Sequence, residues 1–139
     1  MMSRSQWSGL IACSMGLSAL LALFNVRAEP SVVGDAGRGE SVYTRCLACH
    51  ALEYDRTGPR HCGLFGRQAG TVKDFAYSDA MKNSKIIWND ETLNWFLTSP
   101  MTAIPGTAMG YAGIPDSQER ADLIAYIKRE DASPRCAGK

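Results

Sequence analysis

The sequence predicts an all-α fold in which the helices are joined by unusually long, ordered loops. Apolar residues recur at helical spacing in several stretches, and no segment shows the sustained alternation of a strand. Glycine, proline and other helix breakers crowd residues 53–71 and 101–114, which predicts irregular structure there. Loops of this length are uncommon in a compact domain, and a ligand that they wrap around would explain them.

The N-terminal segment differs from the rest of the 139-residue chain. Arg4 precedes the apolar run 9–26, and small residues surround the end of that run. This arrangement is typical of a secretory signal peptide, so we expect cleavage after Ala28 and a single domain over residues 29–139. The alternative is an uncleaved membrane anchor, although the apolar run over residues 9–26 is short for a full span.

Charge and cysteine content narrow the possible partners. The formal net charge is +1 at pH 7, and nucleic-acid binding, which needs clustered positive charge, is therefore not supported. Cys13 is one of five cysteines and would be removed with the leader, so four remain. Export would place these four in an oxidising compartment, which we take to be a bacterial periplasm.

The first two helices are short. We expect the first over residues 35–46, with Val42 and Tyr43 facing the core. The second would cover 78–83 and begin at Ser78, a favourable N-terminal capping residue.

Two stronger helical patterns follow. One is predicted over 88–99, with a capping residue at Asn89 or Asp90 and an end at Pro100. The last is predicted over 117–130. The apolar residues that we expect these two helices to bury are Leu93, Phe96, Leu97, Leu123, Ile124 and Ile127.

Residues 46–50 read CLACH, which allows a zinc ion, a reversible disulfide or a haem. Structural zinc needs four ligands, but the spacing of the remaining histidines and cysteines is irregular, and His50 directly adjoins Cys49. A thioredoxin-like pair is expected near a strand–helix junction, which the sequence does not predict.

Haem fits the CLACH segment best. Cys46 and Cys49 can each form a thioether to one vinyl group of the same haem, and His50 then presents its imidazole to the iron. C-x-x-C-H is the attachment signature of c-type haem, so we favour haem and keep zinc and dithiol chemistry as alternatives.

The second axial position of the iron has four candidate ligands in the sequence: Met81, Met101, Met109 and His61. A lone methionine usually fills space in the core. Met109 differs because it follows IPGTA, residues 104–108, a stiff turn that can hold a side chain against an open haem face.

Five separated segments occur in a recognisable order: GDAGRGESVYTRCLACH, TGPRHCGLFGRQAG, FAYSDAMKNSKIIWNDETLNWFLTSP, IPGTAMGYAGIP and ERADLIAYIKR. In these segments the chain resembles the class I cytochromes c of the mitochondrial and bacterial c2 type. The resemblance covers nearly all of residues 29–139 and is far more specific than C-x-x-C-H alone. It implies the class I cytochrome c fold, in which helices and long loops surround one covalently bound haem.

The resemblance implies roles for individual residues at the iron. Cys46 and Cys49 look like the thioether cysteines, His50 like the proximal ligand and Met109 like the distal ligand. Pro59 matches the proline whose carbonyl accepts a hydrogen bond from the proximal histidine, which would fix the ring and raise its basicity.

The resemblance also implies contacts to the haem propionates. Arg67, Tyr77 and Trp88 match groups that hydrogen-bond a buried propionate, and Thr107 matches a further contact. A buried carboxylate needs charged or polar partners. Without the shared pattern, Tyr77 and Trp88 would be interpreted as core aromatics and Arg67 as a solvated surface residue.

Distant parts of the chain are expected to meet. Gly39, Tyr43 and Leu123 match the crossing of the first and last helices, where glycine lets two backbones approach. In similar proteins the loop around Cys62 lies near the end of the last helix, so Cys62 and Cys136 are expected to form a disulfide in an exported chain. Two isolated thiols are the alternative.

Three residues depart from the family pattern. Phe96 stands where a tyrosine is common, and Met81 where an asparagine is common, so the pocket should be drier. His61 occupies a site that is usually apolar, and the sequence suggests no role for it.

Coordination by His50 and Met109 would leave the iron no free site and favour electron transfer. We therefore expect a soluble, monomeric periplasmic electron carrier rather than an enzyme. Its partners would be membrane or periplasmic oxidases, reductases or dehydrogenases. The alternatives are a haem peroxidase or gas-binding protein with an absent or labile distal ligand, and a subunit docked permanently to one dehydrogenase.

Overall fold

The computed structural model describes residues 32–138, so the expected signal peptide and its cleavage site after Ala28 lie outside the described residues. Within this part of the chain the regular structure is helical, apart from one isolated antiparallel bridge between Gln68 and Ile87. The all-α prediction is confirmed. None of the helices between residues 32 and 138 is both long enough and apolar enough to span a bilayer.

The helices follow the predicted order, and two short helices that were not predicted are added, one after the third predicted helix and one after the last. Across residues 32–138 they are α1 Ala36–Tyr43, α2 Asp79–Asn83, α3 Asp90–Thr98, α4 Pro100–Ala103, α5 Ser117–Asp131 and a 3-10 helix at Pro134–Cys136. Four of the α-helices begin at a side chain that accepts a hydrogen bond from a backbone amide of the first turn, which satisfies one of the otherwise unpaired amides. These capping residues are Asp35, Ser78, Asn89 and Asp116.

The expectation that residues 101–114 form no regular structure was wrong at the start of that stretch. Pro100 does end α3, as predicted, but it is also the first residue of α4. Proline suits this position because its fixed φ is helical and its missing amide hydrogen would be unpaired there anyway. The amide of Ile104 donates to the Pro100 carbonyl at 2.9 Å and closes the turn.

Helices α1 and α5 cross closely at Gly39. A Cβ atom added at Gly39 would collide with the backbone carbonyl of Asp122 and with the Tyr126 side chain, so only glycine allows this approach. The buried Asp122 carboxylate accepts hydrogen bonds from the Arg38 guanidinium at 2.7 and 2.9 Å and from the Asp35 amide at 2.7 Å. Chiefly because of Arg38, the pKa of Asp122 falls to about 2.

The C-terminal end of the described chain returns to the first long loop. The sulfur atoms of Cys62 and Cys136 are in contact, and their Cα atoms lie 5.0 Å apart. Both side chains are buried, Cys62 to 1% exposure. Near this contact the Asp131 carboxylate accepts hydrogen bonds from the amides of Gly63 and Phe65. The two cysteines are therefore neighbours, as expected.

The core residues surround a cavity instead of filling the centre of the domain. The buried apolar residues come from α1, α2, α3 and α5, from the C-terminal 3-10 helix and from the loops between the helices. They include all the side chains predicted to face inward from the helices: Val42, Tyr43, Leu93, Phe96, Leu97, Leu123, Ile124 and Ile127. The long loops pack around this space, which is what an internal ligand would require.

Candidate functional site

A cavity of about 370 Å³ opens between the helices and the two long loops. This volume lies within the usual range of small-molecule sites, roughly 300–1,000 Å³. Most of its wall is apolar, with Leu64, Leu93, Phe96 and Ile114 among the lining residues. All nine residues predicted to bind a cofactor line this one cavity: Cys46, Cys49, His50, Pro59, Arg67, Tyr77, Trp88, Thr107 and Met109.

The C-x-x-C-H segment forms a helical turn directly after α1. The amide of Cys46 donates to the Tyr43 carbonyl at 2.8 Å, and the amide of His50 donates to the Cys46 carbonyl at 2.8 Å. Cys46 is half-buried, and burial raises the pKa of its thiol to about 11. Cys49 is exposed at the cavity edge. The turn therefore presents two thiols and an imidazole to the same space.

The buried His50 ring has a fixed orientation. Its Nδ1–H donates to the carbonyl oxygen of Pro59 at 2.7 Å, which is the contact expected for Pro59. This bond leaves Nε2 as the nitrogen that can bind a metal. A Cβ at Gly58 would collide with three atoms of the ring, so the backbone packs directly on it. Burial lowers the pKa of His50, although the bond to Pro59 opposes this shift, and a neutral ring is favoured.

His61 is the site residue that the sequence left without a role. Its ring stacks on His50, with centroids 4.4 Å apart and planes inclined by 21°. The His61 Nδ1 atom and the Tyr43 hydroxyl share a hydrogen bond of 3.0 Å. Burial, followed by the charges of His50 and Arg67, holds the pKa of His61 well below its usual range. The only signal in the sequence was a polar residue at a position that is usually apolar.

The methionine loop reaches the cavity through a tight turn. The amide of Thr107 donates to the Ile104 carbonyl at 3.0 Å, and Gly106 adopts a left-handed conformation with φ of +89°. The amide of Met109 donates to the Thr107 hydroxyl oxygen at 3.3 Å. Met109 is half-buried and lines the cavity, whereas Met101 is 59% exposed on α4. Met81 also lines the cavity but is part of the buried core.

A positive charge faces the cavity from the loop after Pro59. The Arg67 guanidinium donates to the carbonyls of Cys62 and Arg60, both at 3.0 Å. Burial lowers its pKa, and among residues 32–138 it forms no ion pair with a carboxylate. Tyr77 and Trp88 line the same cavity. A half-buried cation without an acidic partner fits a ligand that carries carboxylates.

The donor set distinguishes between the ligands that the sequence allowed. Within the described residues there is no group of three histidine, cysteine or acidic side chains that could hold a metal ion. Paired thiols, an imidazole, a thioether and an unpaired guanidinium around an apolar cavity fit a c-type haem with its vinyl groups, iron and propionates.

Comparison with known proteins gives the same result. Residues 36–130 match the family model for cytochrome c. The chain is 46% identical to cytochrome c2 of Blastochloris viridis over 106 residues, covering 74% of this chain and 84% of that protein. It is 46% identical to cytochrome c of Euglena viridis over 98 residues, covering 68% and 96% of the two chains. The solved structure of cytochrome cH from Methylobacterium extorquens is 39% identical, with a TM-score of 0.67, and the match covers 69% of this chain and 99% of that one. The chain therefore belongs to the class I c-type cytochromes.

Proposed function

We propose that this chain is a soluble, monomeric one-electron carrier of a bacterial periplasm. Membership of the cytochrome c family implies electron transport and a covalently bound c-type haem. In our proposal Cys46 and Cys49 attach the haem, and His50 and Met109 ligate its iron. The observation that supports this assignment is that all four side chains line one cavity.

The haem, when bound, supplies the redox chemistry by cycling between ferric and ferrous iron. His50 is held for its part by Pro59, whose carbonyl keeps the proton on Nδ1 and orients the ring. Met109 adds a soft thioether at the end of a tight turn. Leu64, Phe96 and the other apolar lining residues exclude water, and a dry site favours the less charged, reduced state.

We assign Arg67, Tyr77, Trp88 and Thr107 to the propionates. Arg67 supplies a charge that no carboxylate among residues 32–138 neutralises, and Thr107 stands beside the methionine on the same loop. Charge-assisted hydrogen bonds from these groups would offset the cost of burying a carboxylate. Two protein ligands and covalent attachment leave no place for substrate turnover, so we propose a carrier and not an enzyme.

Processing of the chain is part of the proposal. We assign residues 1–28 to a cleaved signal peptide and 29–139 to the cytochrome domain, and we propose a disulfide between Cys62 and Cys136. Fractionation of the producing cell, followed by N-terminal sequencing of the haem protein, tests the first assignment. A periplasmic protein that begins at Glu29 is expected, and a membrane-bound protein with an intact N-terminus would contradict it.

Substitution of Met109 tests the function most directly, because a peroxidase or gas-binding protein needs an open iron site. The holoprotein should show the absorption band near the red edge of the visible spectrum that reports iron–methionine bonding. Met109→Ala should retain covalent haem, lose this band, bind carbon monoxide readily and have a lower potential.

The two other methionines provide the controls. Met101→Leu changes an exposed residue and Met81→Leu a second methionine of the cavity wall, and neither should alter the band. A Met109→Ala protein with an unchanged spectrum and potential would show that Met109 is not the ligand. A wild-type holoprotein that already lacks the band and binds carbon monoxide would favour the enzyme or gas-binding alternative.

A further inference from the structure

A second imidazole beside the proposed proximal ligand is a feature that electron transfer does not by itself explain. The His61 ring lies over the His50 ring, with 4.4 Å between centroids and 21° between planes. Both residues line the cavity. A buried histidine is more costly than an aliphatic side chain unless its polar atoms are satisfied. The structure supplies a hydrogen-bond partner for one of the two ring nitrogens of His61.

That partner is Tyr43, the last residue of α1. Its hydroxyl and His61 Nδ1 share a hydrogen bond of 3.0 Å, and its ring meets the His61 ring edge-on at 5.6 Å between centroids. The tyrosine ring also packs against Tyr126 of α5, at 5.0 Å between centroids. Tyr43 is 3% exposed. Through Tyr43, the His61 ring is therefore anchored to the site where α1 and α5 cross.

The backbone on both sides of His61 is fixed as well. Its own amide donates to the carbonyls of Ala51 and Leu52, both at 3.1 Å. The carbonyls of the residues before and after it, Arg60 and Cys62, both accept from the Arg67 guanidinium at 3.0 Å. His61 thus has little freedom to slide across the ring that it covers.

We propose that His61 is a positioning residue: anchored by Tyr43, it limits rotation of the His50 imidazole about its bond to the haem iron. This inference rests on the proposed function, in which His50 is the proximal ligand. The hydrogen bond to Pro59 holds one edge of the His50 ring, and a flat partner against its face restricts the remaining tilt and rotation. An aliphatic side chain at position 61 would fill the space but could neither stack nor bond to Tyr43.

The orientation of the axial histidine can be measured without any assay of electron transfer. In a ferric low-spin haem, the paramagnetic shifts of the four haem methyl protons depend on the angle of the axial ligand planes. We would record proton NMR spectra of the ferric holoprotein and of His61→Leu, Tyr43→Phe and the double variant. Tyr126→Phe is the matched control, because it removes a hydroxyl from the same aromatic cluster that does not bond to His61.

His61→Leu should change the order or spread of the methyl shifts, and Tyr43→Phe should change them in the same direction by a smaller amount. The double variant should match His61→Leu, because the tyrosine acts only through the histidine. Tyr126→Phe should match the wild type. Tyr43→Phe keeps the packing of its ring, so it provides a reading if His61→Leu does not mature.

Methyl shifts that are unchanged in His61→Leu and Tyr43→Phe would overturn the inference. An equal change in Tyr126→Phe would also overturn it, since the effect would then belong to the aromatic cluster and not to His61. The wild-type spectrum separates this result from failure of the proposed function. Without shifted resonances from an axial histidine and methionine, the ligand assignment itself would be wrong.

Discussion

Residues 50–67, which carry the proposed histidine ligand, and residues 104–115, which carry the proposed methionine ligand, are both irregular loops that line the cavity. The histidine loop is fixed by side chains at several points between Arg60 and Phe65. Arg67 bonds to two of its carbonyls, Asp131 accepts from two of its amides, and Cys136 contacts its buried cysteine. Most of these contacts come from remote parts of the chain.

The hydrogen bonds that join the methionine loop to remote parts of the chain lie at its C-terminal end. The amide of Ile114 donates to the Leu97 carbonyl at 2.8 Å, and Arg120 bonds to the carbonyls of Ile114 and Pro115. Around Met109 the hydrogen bonds are local, such as that from its amide to Thr107. Regions with few remote contacts open at a lower free energy than the whole fold. We therefore expect the methionine ligand to be lost before the histidine side unfolds.

The largest expected effect is on the histidine side. Removal of the proposed disulfide by Cys62→Ser should lower the free energy of unfolding by about 4 kcal/mol, because a sequence separation of 74 makes loop closure costly in the unfolded chain. The absorption band of the iron–methionine bond should persist in the folded variant, since that bond lies in the other loop. Denaturant unfolding of the holoprotein, followed at this band and by circular dichroism, measures both.

Cys136→Ser is the matched control for this change. It should cost about as much as Cys62→Ser, and the double variant should cost no more than either, since all three remove the same bond. Mass analysis after alkylation of the unreduced, denatured holoprotein provides the direct check. Two alkylated thiols there would refute the disulfide and with it the first half of the comparison.

The next effect concerns the anchor of the methionine loop. Arg120 is 8% exposed and donates to Ile114 and Pro115 at 2.7 and 2.8 Å and to the Asn94 side chain at 2.9 Å. Arg120→Met leaves these acceptors unpaired, which should cost about 2 kcal/mol. The methionine band should disappear at a lower denaturant concentration than the helical signal, because the loop loses its support first.

Arg129→Met provides the comparison for Arg120, since it removes an arginine from the exposed side of the same helix. It should change stability by less than about 0.5 kcal/mol. If Arg120→Met lost the methionine band and the helical signal together, the two loops would unfold as one unit and the contrast between them would be wrong.

The smallest expected effect is on association with redox partners. In the mitochondrial cytochromes c that this chain resembles, lysines surround the exposed haem edge. The resemblance implies that the corresponding positions here carry no lysine; they are Met101, Thr102, Ala103, Ala108, Pro115, Asp116 and Ser117. The nearby Arg45 is neutralised by Glu119 through two hydrogen bonds of 2.7 Å. Docking should therefore depend mainly on burial of apolar surface, with little electrostatic steering.

Stopped-flow measurement of electron transfer with the natural partner tests this expectation. The second-order rate constant should change by less than about threefold between low and physiological ionic strength, since few charges near the rim remain unpaired. A steep fall with added salt would show that charges elsewhere on the surface guide the encounter.

Features that depend on local chemistry were predictable from the sequence. Ser78 and Asn89 cap their helices. A short polar side chain just before a helix can accept a hydrogen bond from a first-turn amide, and this depends only on neighbouring residues. The C-x-x-C-H turn and its imidazole are likewise set within a few residues. The family resemblance also predicted the role of Pro59, whose carbonyl accepts a hydrogen bond from His50 as expected.

Features that depend on packing between remote segments were not predictable in the same way. For His61 to stack on His50, the loop must fold back on itself over 11 residues. The residue that anchors His61, Tyr43, belongs to α1. Pro100 marks a helix end by its ring geometry, but whether a new helix starts there depends on the turn closed by Ile104. In each case tertiary contacts decide between conformations that local propensity leaves open.

The separation of the cysteines into two pairs has a consequence for biosynthesis. In the folded chain Cys62 and Cys136 are in contact, while Cys46 and Cys49 lie on another turn. In the unfolded chain a bond between Cys46 and Cys49 is easier to form. Closing the short C-x-x-C loop costs about 3 kcal/mol less free energy than closing a loop over a separation of 74. In an oxidising compartment the bond between Cys46 and Cys49 would thus form first. The proposed attachment of haem to this pair would then need a thiol reductant, or early capture of the apoprotein, to keep both thiols reduced.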